Sequence, residues 1–333
     1  MAQLALLLIF GFSSSCNGYF VYLNRSGTIS EIPSNIPTNA TKIDLRNNII
    51  SSFGPRAFSN FTSLLMLEAS ENPLVSIDYT AFEDTKIDNL ILAYTQLTQI
   101  PDLNAPSLRH LHMQGHPGIT HVDFVHLTLL YSRLRLLNVS ICSINYTRWP
   151  ENTTEVTIKN FDLTRNDLNT LSNGAMNSWR RLSFLYLEET GLSTFGCSYI
   201  NDTELIILKL SRNHLTEFPD LQCVGQTLEI LGLARNLITA VAKEDFRDLV
   251  TLVSLDLKAN RISRLDEPLT MDEHHFNAQI RQDKEMEHKK VSESCPLCSI
   301  SREFIFHADT ASHLSTKKLY LCKAWHRKNQ DGK

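Results

Sequence analysis

Two histidines two residues apart, His110 and His112, share one face of any strand that holds them, a spacing that metal sites use. No obvious third ligand accompanies them. Cys295-Pro-Leu-Cys298, followed by His307 and His313, offers zinc-ligand types. The interval between those pairs is shorter than in a standard finger, and a disulfide with Cys322 or no ordered structure is the simpler reading. Asp272-Glu273-His274-His275 is a polar cluster that lacks the His-Glu-x-x-His spacing of a zinc protease helix. No glycine-rich phosphate loop and no Gly-x-Ser-x-Gly elbow occurs. No acid, base and nucleophile converge, so the expectation is a protein without enzymatic activity, cofactor or bound metal.

The charge balance points the same way. The 333 residues carry 32 basic and 36 acidic side chains, a formal net charge of −4. That excludes a strongly basic nucleic-acid binder. Leu4 to Phe12 form a short apolar run followed by Ser13, Ser14 and Ser15. Residues 1–18 therefore read as a secretory signal, cleaved after Ser15 or Gly18. No later stretch reaches the roughly 20 apolar residues of a bilayer span. Seven Asn-x-Ser/Thr sequons, at Asn24, Asn39, Asn60, Asn138, Asn145, Asn152 and Asn201, are candidate glycosylation sites.

The elements that must position any binding group are written as a repeat. Leu-x-x-Leu-x-Leu-x-x-Asn-x-Leu recurs from Leu205 to Leu215, Leu228 to Ile238 and Leu252 to Ile262, with an earlier copy from Ile158 to Leu168. Its asparagine slot holds in turn Asn48, Asn72, Thr95, His116, Cys142, Asn166, Thr190, Asn213, Asn236 and Asn260, spaced 21 to 26 residues apart. The Leu-x-Leu core predicts a short parallel strand with both leucines buried. The slot amide is expected to bond turn backbone, giving a ladder. Phe58, Phe82, Met176 and Phe246, ten residues after their slots, predict a second packing column on the convex side.

This pattern resembles the leucine-rich-repeat family, in its extracellular class of about 24 residues per repeat, over residues 28 to 265. The resemblance implies an α/β solenoid: a curved horseshoe with a parallel sheet on the concave face and loops or short helices on the convex face. It divides the chain into the signal (1–18), an N-terminal cap (19–41), a solenoid of about ten repeats (42–265) and a polar tail (266–333). Ile32-Pro33 and Ile36-Pro37 match the family's cap, while its cysteine cluster and its C-terminal cap are missing. The chain thus reads as a truncated or alternatively spliced form of a longer receptor. Residues 266 to 290 read as a polar helix or a flexible segment. Cys142 is expected as a buried thiol. Cys197 and Cys223 fall on neighbouring turns and either bridge or sit as two buried thiols.

Solenoids of this kind bind on the concave face, where the x residues of each strand point. Phe184 and Tyr186 are large aromatics at such positions, flanked by Arg165, Glu188, Glu189, Lys209 and Arg212. An aromatic centre with mixed charge fits a protein partner. The candidate ligand-binding residues are Arg165, Phe184, Tyr186, Glu188, Lys209 and Arg212. A glycan on Asn138, also at an x position, would push a large partner toward repeats six to ten. The resemblance implies an extracellular recognition module for a protein or glycan ligand, secreted or part of a receptor, in innate immunity, adhesion or signalling. The group includes Toll-like receptors and Slit-type guidance proteins. The alternatives are a structural matrix solenoid or a fragment of a membrane receptor.

Overall fold

The computed structural model describes residues 19–22, 27–150, 156–169, 171–177, 179–266 and 277–279. The signal segment, the sequons at Asn24 and Asn152, and the cysteines and histidines of the tail lie outside these residues. The backbone is a parallel solenoid. One 12-stranded sheet runs through it with strands in chain order. Its edge is Tyr19–Tyr22, followed by Ala40–Asp44, Met66–Glu68, Asn89–Ile91, His110–His112, Leu136–Asn138 and Asn160–Asp162. Phe184–Tyr186, Ile207–Lys209, Ile230–Gly232, Ser254–Asp256 and Asn277–Gln279 complete it. The last strand corrects the expectation of a helix or flexible stretch at that point: Ala278 aligns with Leu255, one repeat length on.

Register explains why three-residue strands suffice. Ile43, Leu67, Leu90, Leu111, Leu137, Phe161, Leu185, Leu208, Leu231 and Leu255 align in one inward row. Every one of them is buried. A strand of this length is not stable alone, and stacking supplies both its hydrogen bonds and its apolar contacts. The slot residues lock each turn to the one before. Asn72 donates to Leu45 O and Ala69 O at 2.9 and 3.0 Å while accepting from Ile50 N at 3.0 Å. Asn166, Asn213, Asn236 and Asn260 repeat this pattern. His116 replaces the amide in its slot: Nδ1 donates to Met113 O at 2.9 Å and Nε2 accepts from the Thr95 hydroxyl at 2.7 Å. That network selects the neutral tautomer, and burial lowers the imidazole pKa.

The convex side carries short elements. Phe124–Leu130 is a helix whose N-cap Asp123 accepts from His126 N at 3.0 Å. Phe58 and Phe82 stack with centroids 5.0 Å apart, and Met176 and Phe246 are buried in the same column. Cys197 and Cys223 form a disulfide with Cα atoms 5.7 Å apart, so of the two readings the bridge holds. Cys142 is a buried free thiol. Under the middle repeats Phe124, Trp149, Phe161 and Trp179 form an aromatic box, with Phe124–Trp149 at 4.7 Å and Phe161–Trp179 at 5.6 Å.

Candidate ligand-binding face

The concave sheet presents its x residues in rows. Phe184 lies between Asn160 and Ile207, and Tyr186 between Asp162 and Lys209. All six are half-buried, because strands 4.7–4.9 Å apart crowd their outward side chains. Lys159 Nζ stands 5.8 Å from the Phe184 ring centroid, a cation–π contact. Burial, Asp162 and Glu188 raise the Tyr186 phenol pKa. Burial also raises the Glu188 carboxyl, an effect opposed by Lys209 and by a hydrogen bond from Ser211. Asp162 is raised by burial, although Thr164 N donates to it at 2.9 Å. The face therefore has a half-buried aromatic pair with partly desolvated carboxylates beside it. Such groups can hydrogen-bond and pack against a partner, but they hold no nucleophile with a base.

The six candidate residues do not all sit on this face. Phe184, Tyr186, Glu188 and Lys209 do. Arg165 and Arg212 belong to a separate column that the sequence reading did not distinguish. The residue just before each slot adopts a left-handed conformation in all ten repeats: Asn47, Glu71, Tyr94, Gly115, Ile141, Arg165, Glu189, Arg212, Arg235 and Ala259 have φ between 53° and 82°. Reversing the chain there turns the next side chain inward, into the slot. From Asn47 to Arg235 each of these N–H groups still bonds the next repeat, as from Arg165 to Glu188 O at 2.8 Å and from Arg212 to Ala234 O at 2.8 Å. The column forms a rim along the C-terminal ends of the strands. On it Glu189 joins Arg165 (Nε, 3.0 Å) to Arg212 (Nη1, 2.8 Å).

The remaining candidates are placed as follows. His110 and His112 share a strand face, and His112 has its pKa lowered by burial and by His110. Among the described residues no group of three His, Cys, Asp or Glu is arranged for a metal ion. Asn39, Asn60, Asn145 and Asn201 are exposed. Asn138 is half-buried on the concave face between His112 and Asp162. Its Oδ1 accepts from Ser140 N and Oγ at 2.9 and 2.7 Å. No described helix is long and apolar enough to cross a membrane.

Comparison with known proteins agrees with this geometry. The sequence profile of the "Leucine rich repeat" family matches residues 203–262. Podocan-like protein 1 of Mus musculus is 26% identical over 273 residues, covering 80% of this chain and 44% of that protein. Decorin of Coturnix japonica is 33% identical over 98 residues, 28% of this chain and 27% of decorin. Decorin of Bos taurus is 31% identical over 120 residues, 35% and 33% of the two chains. The matched regions thus span less than half the length of these relatives. Among solved structures, the APL1 leucine-rich repeat domain superposes with a TM-score of 0.58 at 22% identity, covering 79% of this chain and 68% of that one. The repeat, the stacked parallel strands and the slot ladder, together with these matches, make the chain a leucine-rich-repeat protein.

Proposed function

We propose that the chain is an extracellular protein-binding module, secreted or part of a receptor, that takes a protein or glycan ligand on its concave face. The observation that carries this is the Phe184–Tyr186 pair. Two aromatics stand on the outward side of a strand, half-exposed, between Lys159, Asp162, Glu188 and Lys209. Strand residues that serve only the core face inward, and exposed aromatics ringed by charge are typical interface anchors. The likeness to decorin and podocan-like protein 1, which are extracellular matrix proteins, supports the compartment and favours a second reading, a structural matrix solenoid. Glycans on the sequon asparagines fit either. One on Asn138 would occupy the middle of the concave face and direct a large partner to repeats six to ten.

The test is expression in secretory cells, followed by binding of the recovered chain to an array of secreted and cell-surface proteins. A Phe184→Ser/Tyr186→Ser variant runs in parallel. The expected result is recovery from the medium, occupied sequons and hits lost in the variant. Retention in the cytosol, or hits indifferent to the variant, would overturn the reading. Self-association with no heterologous hit would favour the structural solenoid.

A further inference from the structure

The left-handed rim changes character along its length. In repeats three to five it is apolar: Tyr94 and Ile141 are 52% and 37% exposed, with Gly115 between them. Any side chain at Gly115 would collide with the Tyr94 ring, so that ring packs against the Gly115 position while Tyr94 as a whole stays exposed. In repeats six to nine the rim is basic: Arg165, Arg212 and Arg235 are exposed, against the single half-buried Glu189. The left-handed backbone is common to all ten rim positions, and glycine or asparagine adopts it most readily. In the apolar half it carries the β-branched Ile141 at φ 55° and the bulky Tyr94 at φ 54°, outliers that cost about 1–3 kcal/mol each and that present apolar surface on the rim. The basic half has unused donors. Arg165 spends only Nε on Glu189, Arg212 only Nη1, and Arg235 makes no ion pair among the described residues.

We propose that this rim is a binding surface for an extended acidic segment of a partner protein, with an apolar side chain at one end. The apolar residue seats on Tyr94 and Ile141, and carboxylates meet Arg165, Arg212 and Arg235. Six strand intervals of about 4.8 Å separate Tyr94 from Arg235, roughly 29 Å, which about nine extended residues cover. Arginine forks suit carboxylates in a bidentate geometry. A uniformly sulfated polymer fits less well, because Glu189 sits among the arginines and repels an unbroken run of negative charge. The partner residue opposite Glu189 is therefore neutral or basic. The inference rests on the chain being a binding module but not on the Phe184–Tyr186 face.

The test is selection of a random twelve-residue peptide display library on the purified full chain. Selected peptides are then measured by fluorescence anisotropy against wild type, Arg212→Glu/Arg235→Glu, Ile141→Gly and Phe184→Ser/Tyr186→Ser. Glycine adopts the left-handed backbone readily, so the Ile141 variant keeps the fold, and Arg235→Gln serves as a milder second charge variant. The expected peptides carry two or more acidic residues beyond an aromatic or aliphatic one. Their affinity falls tenfold or more with the double charge reversal and severalfold with Ile141→Gly. It is unchanged by the Phe184/Tyr186 variant, and heparin at matched charge does not displace them. Enrichment without acidic residues, or acidic peptides indifferent to the arginine variants, overturns the proposal. Displacement by heparin at matched charge would reassign the rim to sulfated polymers. Loss only in the Phe184/Tyr186 variant would overturn the rim while leaving the concave-face reading standing.

Discussion

Replacing Asn213 by alanine should cost about twice as much stability as the same change at Asn236, although both fill the same repeat position. The Asn213 amide oxygen accepts from Thr190 N at 3.0 Å, Thr190 Oγ1 at 3.0 Å and Leu192 N at 3.1 Å. Its nitrogen donates to Leu187 O and Leu210 O at 2.7 and 3.0 Å. Several partners keep a second bond when the side chain goes. Thr190 Oγ1 still donates to Leu187 O, and Leu210 O still accepts from Asn236. Two buried N–H groups, of Thr190 and Leu192, are left with no acceptor. At about 1–3 kcal/mol for each orphaned donor, Asn213→Ala costs about 4 kcal/mol. Asn236 accepts from one donor, Leu215 N, and its carbonyl partners Leu210 O and Leu233 O keep bonds to Asn213 and Asn260. Asn236→Ala therefore costs about 2 kcal/mol. Urea unfolding followed by far-UV circular dichroism and tryptophan fluorescence reads both values, and an unchanged m-value shows that the same unit unfolds. A loss under about 1 kcal/mol at Asn213, or a larger loss at Asn236, would refute the ladder account.

Four further outcomes follow from the same geometry. Gly115→Ala should destabilise by about 1–2 kcal/mol through positive φ and the Tyr94 ring, and adding Tyr94→Ala should return the steric part in a double-mutant cycle of melts. Ile141→Gly should raise stability by about 1 kcal/mol in urea titrations, because glycine relieves the left-handed strain. Cys197→Ser/Cys223→Ser should lose about 3 kcal/mol, and non-reducing peptide mass mapping should find that pair linked in wild type. Burial raises the folded-state pKa of Asp162, so its favourable contribution is complete below the ordinary carboxylate value and is lost as pH rises through the raised one. Asp162→Asn, which keeps an oxygen for Thr164 N, should be more stable than wild type at pH 7 and equal to it at pH 3 in urea unfolding, both proteins being made in bacteria so that the sequon this substitution creates with Leu163 and Thr164 carries no glycan.

What was legible in the sequence is what repeats with a fixed phase. The inward leucines, the slot series from Asn48 to Asn260 and the convex column of Phe58, Phe82, Met176 and Phe246 each keep a fixed place relative to the slot of their repeat, and the structure buries them together, with Asn260 half-buried. The aromatic box escaped that reading. Phe124, Trp149 and Trp179 lie at different distances after their slots, in repeats of unequal length, so only three-dimensional packing brings them together. The rim escaped it for another reason. Its ten positions hold Asn, Glu, Tyr, Gly, Ile, Arg and Ala, so no residue type betrays the left-handed backbone; only Gly115 hints at it. The charge of Arg165 and Arg212 beside Phe184 and Tyr186 is readable in the sequence, while the sign of their backbone φ is not. The strand Asn277–Gln279 lies in a polar stretch with no leucine pair, and its place is set by register on Ser254–Asp256.

The proposed binding of a protein or glycan partner on the strands around Phe184 and Tyr186 is read out by amide hydrogen exchange of the full chain, free and bound to any partner recovered from the extracellular array. New protection is expected in Asn160–Asp162, Phe184–Tyr186 and Ile207–Lys209 and in the residues that follow each strand. Protection confined to the convex side, such as the helix Phe124–Leu130 and the turn around Cys197 and Cys223, would contradict it.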